Sequence, residues 1–439
     1  MGVQRCEVLV IGGGPGGSTV AALLARQGRD VVLLDKDVHP RFHIGESLLP
    51  ANMPLLDDLG VREQVYAIGM PKWGVEFISP AHSHTSRLRF VDAWDKSLAG
   101  ALQVRRSDFD HILLRNAAAR GARILEGHRA RDAEFAPRFG GARVRSVGPD
   151  GTSQEWEARV LVDASGRDTF LAGKLRCKQR NPRHASAAVY GHFRGVHRHE
   201  GSREGDISIF WFEHGWFWLI PLADGTTSIG AVCWPYYLKS RAKPVPAFFA
   251  DTIALCPPLA ERLAKATPVD KVYATGNYSY TASRAHGAAD EAAYLLVGDA
   301  FSFIDPVFSS GVFLAMSNAF MAVEPVLACM DRPDSAPRAL QDYERSLRKG
   351  LKEFSWFIER MSRPVIRELF MYPRNPLRTR EAVLSILAGD IHRGTPYRGA
   401  LFAFKSFYYM NQMKNPLAAL RQRRRRRRDI EDSLLAADA

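Results

Sequence analysis

The chain has 439 residues, 46% apolar and 24% charged, with a formal net charge of +13 at neutral pH. That length predicts two packed domains rather than one simple core, and the composition excludes a disordered or fibrous chain. No apolar run approaches the roughly 20 residues of a membrane-spanning helix, and five scattered cysteines without a C-x-x-C pair argue against a disulfide frame or a metal site.

The N-terminus enters a buried-type strand at residues 7–11, which leaves no room for a signal peptide and predicts a cytoplasmic protein. A glycine-rich turn follows, Gly12-Gly13-Gly14-Pro15-Gly16-Gly17, then a helix over 18–27 and a strand over 30–35. Glycines at 12, 14 and 17 permit a tight turn, close approach of backbone to a pyrophosphate, and close helix–strand packing. The helix N-terminus adds free N–H groups and partial positive charge, and Asp35 ends the second strand where a carboxylate accepts ribose hydroxyls. A dinucleotide site is expected there.

Residues 70–106 read as mostly extended and hold Lys72 between proline and tryptophan. A lysine so flanked is a candidate for desolvation, which lowers its pKa. A helix is predicted over 107–120, ending at Gly121. From His184 to Pro235 the chain turns strongly β, with strands over 187–193, 206–212, 216–221 and 227–234 and hairpin turns at His214-Gly215 and Ala223-Asp224-Gly225. On the third of these, Trp216 and Trp218 share one face and form an apolar wall. Residues 294–297 give one more buried strand before Gly298-Asp299-Ala300. A helix is expected from Gly311 to Met330, and its first N–H groups, at Ser310, Gly311 and Val312, make a concavity for an anion. The chain past Pro337 is helical and aromatic-rich. Residues 421–439 supply +3 of the net charge and read as a solvated basic tail; the run Arg421–Arg428 lacks the interleaved aromatics of a nucleic-acid site, so no nucleic-acid partner is expected.

Three patterns together, W-x-W-x-I-P at 216–221, F-x-x-P-x-x-S-x-G at 303–311 and K-x-G-x-x-F at 72–77, resemble the flavin-dependent halogenases of the phenol/pyrrole type over about residues 5–330. Leu161 to Gly166 and Gly298 to Ala300 are similar to the second and third fingerprints of aromatic-hydroxylase-like flavoproteins. The resemblance implies an α/β fold. A Rossmann-like FAD-binding domain would use 1–80, 101–180 and 285–335. An inserted antiparallel sheet would use 81–100 and 181–284, followed by a helical region over 336–420. It implies FAD contacts from Gly12, Gly13, Gly14, Gly16, Gly17, Asp35, Lys36, Arg41, Glu46 along the ring edge, Arg105 near the diphosphate, Asp299 on the ribityl chain, Pro306, Gly311 and Val312.

The same resemblance implies halide binding at Ser310 and Gly311, with chloride or bromide and O2 as co-substrates. Reduced FAD and O2 would form a C4a-hydroperoxide that halide converts to hypohalous acid. Trp216 and Trp218 would keep the organic substrate off the flavin, and Lys72 would pass the halogen to a phenol or pyrrole, free or tethered to an acyl carrier protein. Reducing equivalents would come from a flavin reductase, since no second dinucleotide turn is present. Where tryptophan halogenases carry a glutamate before the Ser/Thr-x-Gly stretch, this chain has Phe308. The alternatives are an aromatic hydroxylase of the same fold, which would ignore halide, and a non-enzymatic flavin- or nucleic-acid-binding protein.

Overall fold

The computed structural model describes residues 2–413 apart from 137–140, 182–183, 277–278, 290–291 and 362. The strand Gln4–Ile11 runs parallel to Val31–Asp35 on one side and to Ser153–Asp163 on the other. Ala292–Leu296 and Arg123–Glu126 extend the parallel set outward. Strands covered on both faces must be apolar throughout, which is why Val8 to Val10 and Val31 to Leu34 are all buried. Ile11 pairs with both Leu34 and Asp163, so the carboxyl ends of three strands line up. The chain segments that follow them, around Gly12, Lys36 and Ala164, open one crevice, the usual ligand position in such sheets.

The first helix spans Pro15–Arg26 rather than starting at Ser18, because proline at a first helical position costs no hydrogen bond. The helix expected over 107–120 spans Arg106–Ala119. The β-rich region forms Ala187–Arg194, Ile207–Phe212, Gly215–Pro221 and Thr227–Cys233, paired antiparallel through the two expected hairpin turns. One strand corrects the expectation. Gly74–Ile78, assigned from sequence to the nucleotide-binding half, joins this second sheet and lies parallel to Ile207–Phe212. The sheet is therefore mixed at that joint and reaches back to residue 74.

Each face of the second sheet has its own core. Trp216, Trp218 and Ile220 pack with Phe77, Trp211 and Phe357, while Phe217 and Leu219 pack with Phe249 and Leu259 on the other face. Helices Ala336–Ile358, Pro364–Met371, Thr379–Leu387 and Arg398–Met413 cover the first of these cores through Phe354, Phe370, Leu384 and Tyr408.

The helix Ser310–Asp331 corrects a second expectation. Its 22 residues hold an 18-residue window with a mean hydropathy of 1.7, long and apolar enough to cross a membrane. Here Met316, Ala319 and Ala322 lie in the nucleotide-domain core, which explains the composition. The proposed basic tail over 421–439 lies outside the described residues.

Candidate functional site

The glycine-rich turn fits its place without side chains. Gly12 has φ +102°, and a Cβ there would stand 2.3 Å from the Ala164 carbonyl; a Cβ on Gly17 would stand 1.8 Å from the Gly12 carbonyl. Gly13 N–H donates to Asp35 Oδ2 at 2.7 Å. Burial pushes the Asp35 carboxyl up, yet His39 and the Asp37 N–H outweigh it and hold it below the ordinary range. A cavity of about 640 Å³ opens over this turn, a size suited to a large cofactor.

Most sequence-predicted cofactor residues meet on that cavity: Gly12, Gly13, Gly14, Gly16, Asp35, Lys36, Arg41, Glu46, Asp299, Pro306, Gly311 and Val312. Lys36 pairs with Asp168 and Arg41 with Asp110. Glu46 faces His192 Nε2 at 2.8 Å through Oε1, while its buried Oε2 has no protein partner. Burial raises the Asp299 carboxyl to about 6 against the opposing guanidinium groups of Arg167 and Arg106. An orphaned carboxylate oxygen and an under-solvated one on one cavity suit a ligand rich in hydroxyl and N–H donors, as FAD is.

Three predicted positions depart from the cavity: Gly17, which packs against the Gly12 carbonyl behind the turn, Arg105 and Ser310. Arg105 turns away and donates to Asp224 Oδ2 at 2.8 Å and Thr226 Oγ1 at 2.6 Å. Its neighbour Arg106 lines the cavity instead and donates to Asp110 and to the Ile44 carbonyl. Arg105 precedes the helix and Arg106 opens it, so the two side chains diverge. Ser310 is buried and its side chain is not on the cavity wall; Ser309, in the left-handed region at φ +54°, is. The helix nonetheless opens at Ser310, and Gly311 and Val312 of its first turn line the cavity.

Lys72 ends the short strand Met70–Lys72 and is 2% exposed. Its Nζ donates to Ser47 Oγ and to the Leu48 carbonyl, each at 2.8 Å, and lies 5.2 Å from the Phe90 ring centroid. Burial lowers its pKa to about 7, with Asp206 opposing. Lys72 lines a second, small chamber of about 20 Å³, room for one water. Ile207 and Ser309 line both spaces and so partition them. Ser47, on the large cavity and bonded to Lys72, is a link that no sequence expectation singled out. Among the described residues, the chamber lining includes no acidic side chain, and Phe308 stands on it. Glu76, between Val75 and Phe77 of the chamber wall, points to the opposite face of the strand and pairs there with His199, Arg203 and Arg262.

Trp216 and Trp218 line the large cavity together with Ile220, their ring centroids 6.0 Å apart. Trp218 Nε1 donates to Ser228 Oγ at 3.1 Å. Gly230 lies opposite, where a Cβ would stand 2.1 Å from the indole. That glycine lets the ring lie flat across the neighbouring strand.

Residues 5–352 match the FAD binding domain family. The chain is similar to the tryptophan 2-halogenase of Chondromyces crocatus, 34% identical over 351 residues that cover 77% of this chain and 64% of that protein. It is 29% identical over 412 residues to the 1H-pyrrole-2-carbonyl-(peptidyl-carrier protein) chlorinase of Pseudomonas fluorescens, covering 88% and 90%. Among solved structures, the myxobacterial chondrochloren halogenase CndH aligns with a TM-score of 0.76 at 31% identity, over 90% of this chain and 92% of that one. The chain thus spans slightly under two thirds of the tryptophan 2-halogenase and nearly all of the other two.

Proposed function

Because this chain belongs to the flavin-dependent halogenases and carries their FAD binding domain, we propose that it uses reduced FAD, O2 and chloride or bromide to halogenate an electron-rich aromatic through Lys72. The observation that carries this reading is the buried lysine in its own small chamber, one partition away from the nucleotide cavity. When bound, reduced flavin supplies the oxygen activation that turns halide into hypohalous acid. The first N–H groups of the helix Ser310–Asp331 hold the halide ahead of that step.

Trp216 and Trp218 close the cavity against an aromatic ring, so the organic substrate stays off the flavin and is not hydroxylated. Lys72 has three N–H donors, of which two are engaged by Ser47 and Leu48. The third holds the oxygen of hypohalous acid. In the neutral amine, which its lowered pKa makes accessible near pH 7, the nitrogen lone pair instead takes the halogen and releases water. Either way the aromatic carbon receives the halogen and loses a proton.

With no carboxylate on the chamber wall among the described residues, the substrate's own hydroxyl or ring nitrogen must activate the ring, which favours a phenol or pyrrole. The carrier-bound substrate of the pyrrole chlorinase and the +13 net charge support an acidic carrier protein as the donor of that ring. A separate flavin reductase supplies the electrons.

The test is Lys72→Ala assayed with a reductase and either halide, products read by mass. Halogenated product should fall by at least about 10²-fold while FAD binding and peroxide release persist. An undiminished yield overturns the role of Lys72, and product whose mass ignores halide identifies a hydroxylase.

A further inference from the structure

Asp305 sits inside the F-x-x-P-x-x-S-x-G segment, is 2% exposed, and is not on either cavity wall. A carboxylate buried away from the chemistry is costly unless its hydrogen bonds repay the desolvation. Its bonds divide between two elements. Oδ1 accepts from the Val307 N–H at 3.2 Å and so caps the turn Pro306–Phe308. Oδ2 accepts from Ser186 Oγ at 2.7 Å and lies 3.0 Å from His184 Nε2. His184 and Ser186 are themselves buried, and the His184 ring meets the edge of Trp234 at 5.7 Å.

We propose that Asp305, with Ser186 and His184, is a positioning clamp that fixes the halide-holding turn against the tryptophan wall. This rests on the reading of Ser310–Gly311 as the halide site. Ser186 stands immediately before the strand Ala187–Arg194. Within that strand Ala188 pairs with Val232, and Val232 with Trp216, so one cross-strand row joins the clamp's strand to the wall. His184 reaches the same end of the sheet through Trp234, one residue past the strand Thr227–Cys233. The other end of the turn is Ser309, whose left-handed backbone aims the helix that begins at Ser310. The turn is thus held at its start by Asp305 and the ring of Pro306. Its distance from Trp216 is set through the sheet as well as through the helix Ser310–Asp331.

The experiment compares Ser186→Ala and Ser186→Thr with the native chain, in FAD-loaded protein. Chloride and bromide are titrated against the visible flavin spectrum, and halide KM and kcat are measured separately. Ser186→Ala should raise the halide Kd and KM about tenfold, the scale of a small misplacement, with FAD affinity within about twofold. Ser186→Thr, which keeps the hydroxyl donor, should restore both. Asp305→Asn should act like Ser186→Ala. A lowered melting temperature with unshifted halide Kd and KM, while the native chain saturates with halide normally, overturns the clamp alone. No saturable halide response in the native chain overturns the halide site and the clamp with it.

Discussion

Lys72 is held by Ser47 Oγ, the Leu48 carbonyl and the Phe90 face, none of which carries a formal charge. Its folded pKa of about 7 lies below the ordinary 10.5 because burial penalises the ammonium. Between those values the unfolded chain holds an extra proton, so stability must rise as pH increases from about 7 to 10.5, by on the order of a few kcal/mol. Thermal melting of Lys72→Met across that window should show a flatter profile than the native chain. Lys72→Arg separates the two proposed roles, since a guanidinium donates hydrogen bonds but stays protonated. Retained halogenation there would favour hydrogen bonding over a haloamine. The lysine was legible in sequence through K-x-G-x-x-F. The adjacent arginines were not, because one motif position cannot say on which side of a helix start a long side chain falls. Arg106→Ala should weaken FAD binding by more than about tenfold and lower the melting temperature, as it leaves the buried Asp110 with Arg41 as its one remaining ion-pair partner among the described residues. Arg105→Ala, paired to a half-exposed aspartate, should leave FAD affinity within about twofold.

At the scale of elements, the alternation of W-x-W-x-I-P was enough to place both indoles on one face, since a strand repeats every two residues. What sequence could not supply was the partner across from them. Gly230, invisible as a motif, is what the Trp218 ring lies against, and Gly230→Ala should tilt that ring and divert turnover to peroxide. Product-to-peroxide ratio measures it; an unchanged ratio would refute the wall. The parallel joint between Gly74–Ile78 and Ile207–Phe212 was equally hidden, because strand pairing over such a separation leaves no periodic trace. Ser309 offers an opposite experiment. Left-handed backbone disfavours any residue with a Cβ, so Ser309→Gly should raise stability by about 1 kcal/mol in denaturant unfolding.

For the whole molecule, the parallel sheet and its glycine turn were legible because buried strands and tight phosphate turns constrain residue type severely. The apolar helix Ser310–Asp331 shows the reverse: a core helix and a membrane span share a composition, and only packing separates them. The basic surface is a prediction at this scale. Halogenation of a carrier-tethered aromatic should outpace that of the free acid and should fall steeply as salt screens the approach. Equal rates would leave the net charge without a role in substrate choice.

The space beside Lys72 has room for about one water, and Leu387 of the helix Thr379–Leu387 forms part of its wall. A benzene or pyrrole ring is several times that size, so no aromatic reaches the amine until neighbouring side chains give way. Under the proposed role of Lys72, reagent delivery and ring entry are separate demands, since a triatomic acid needs far less added room than an aromatic ring. Stiffening the wall at Leu387 should then slow halogenated-product formation and raise peroxide release in the coupled assay.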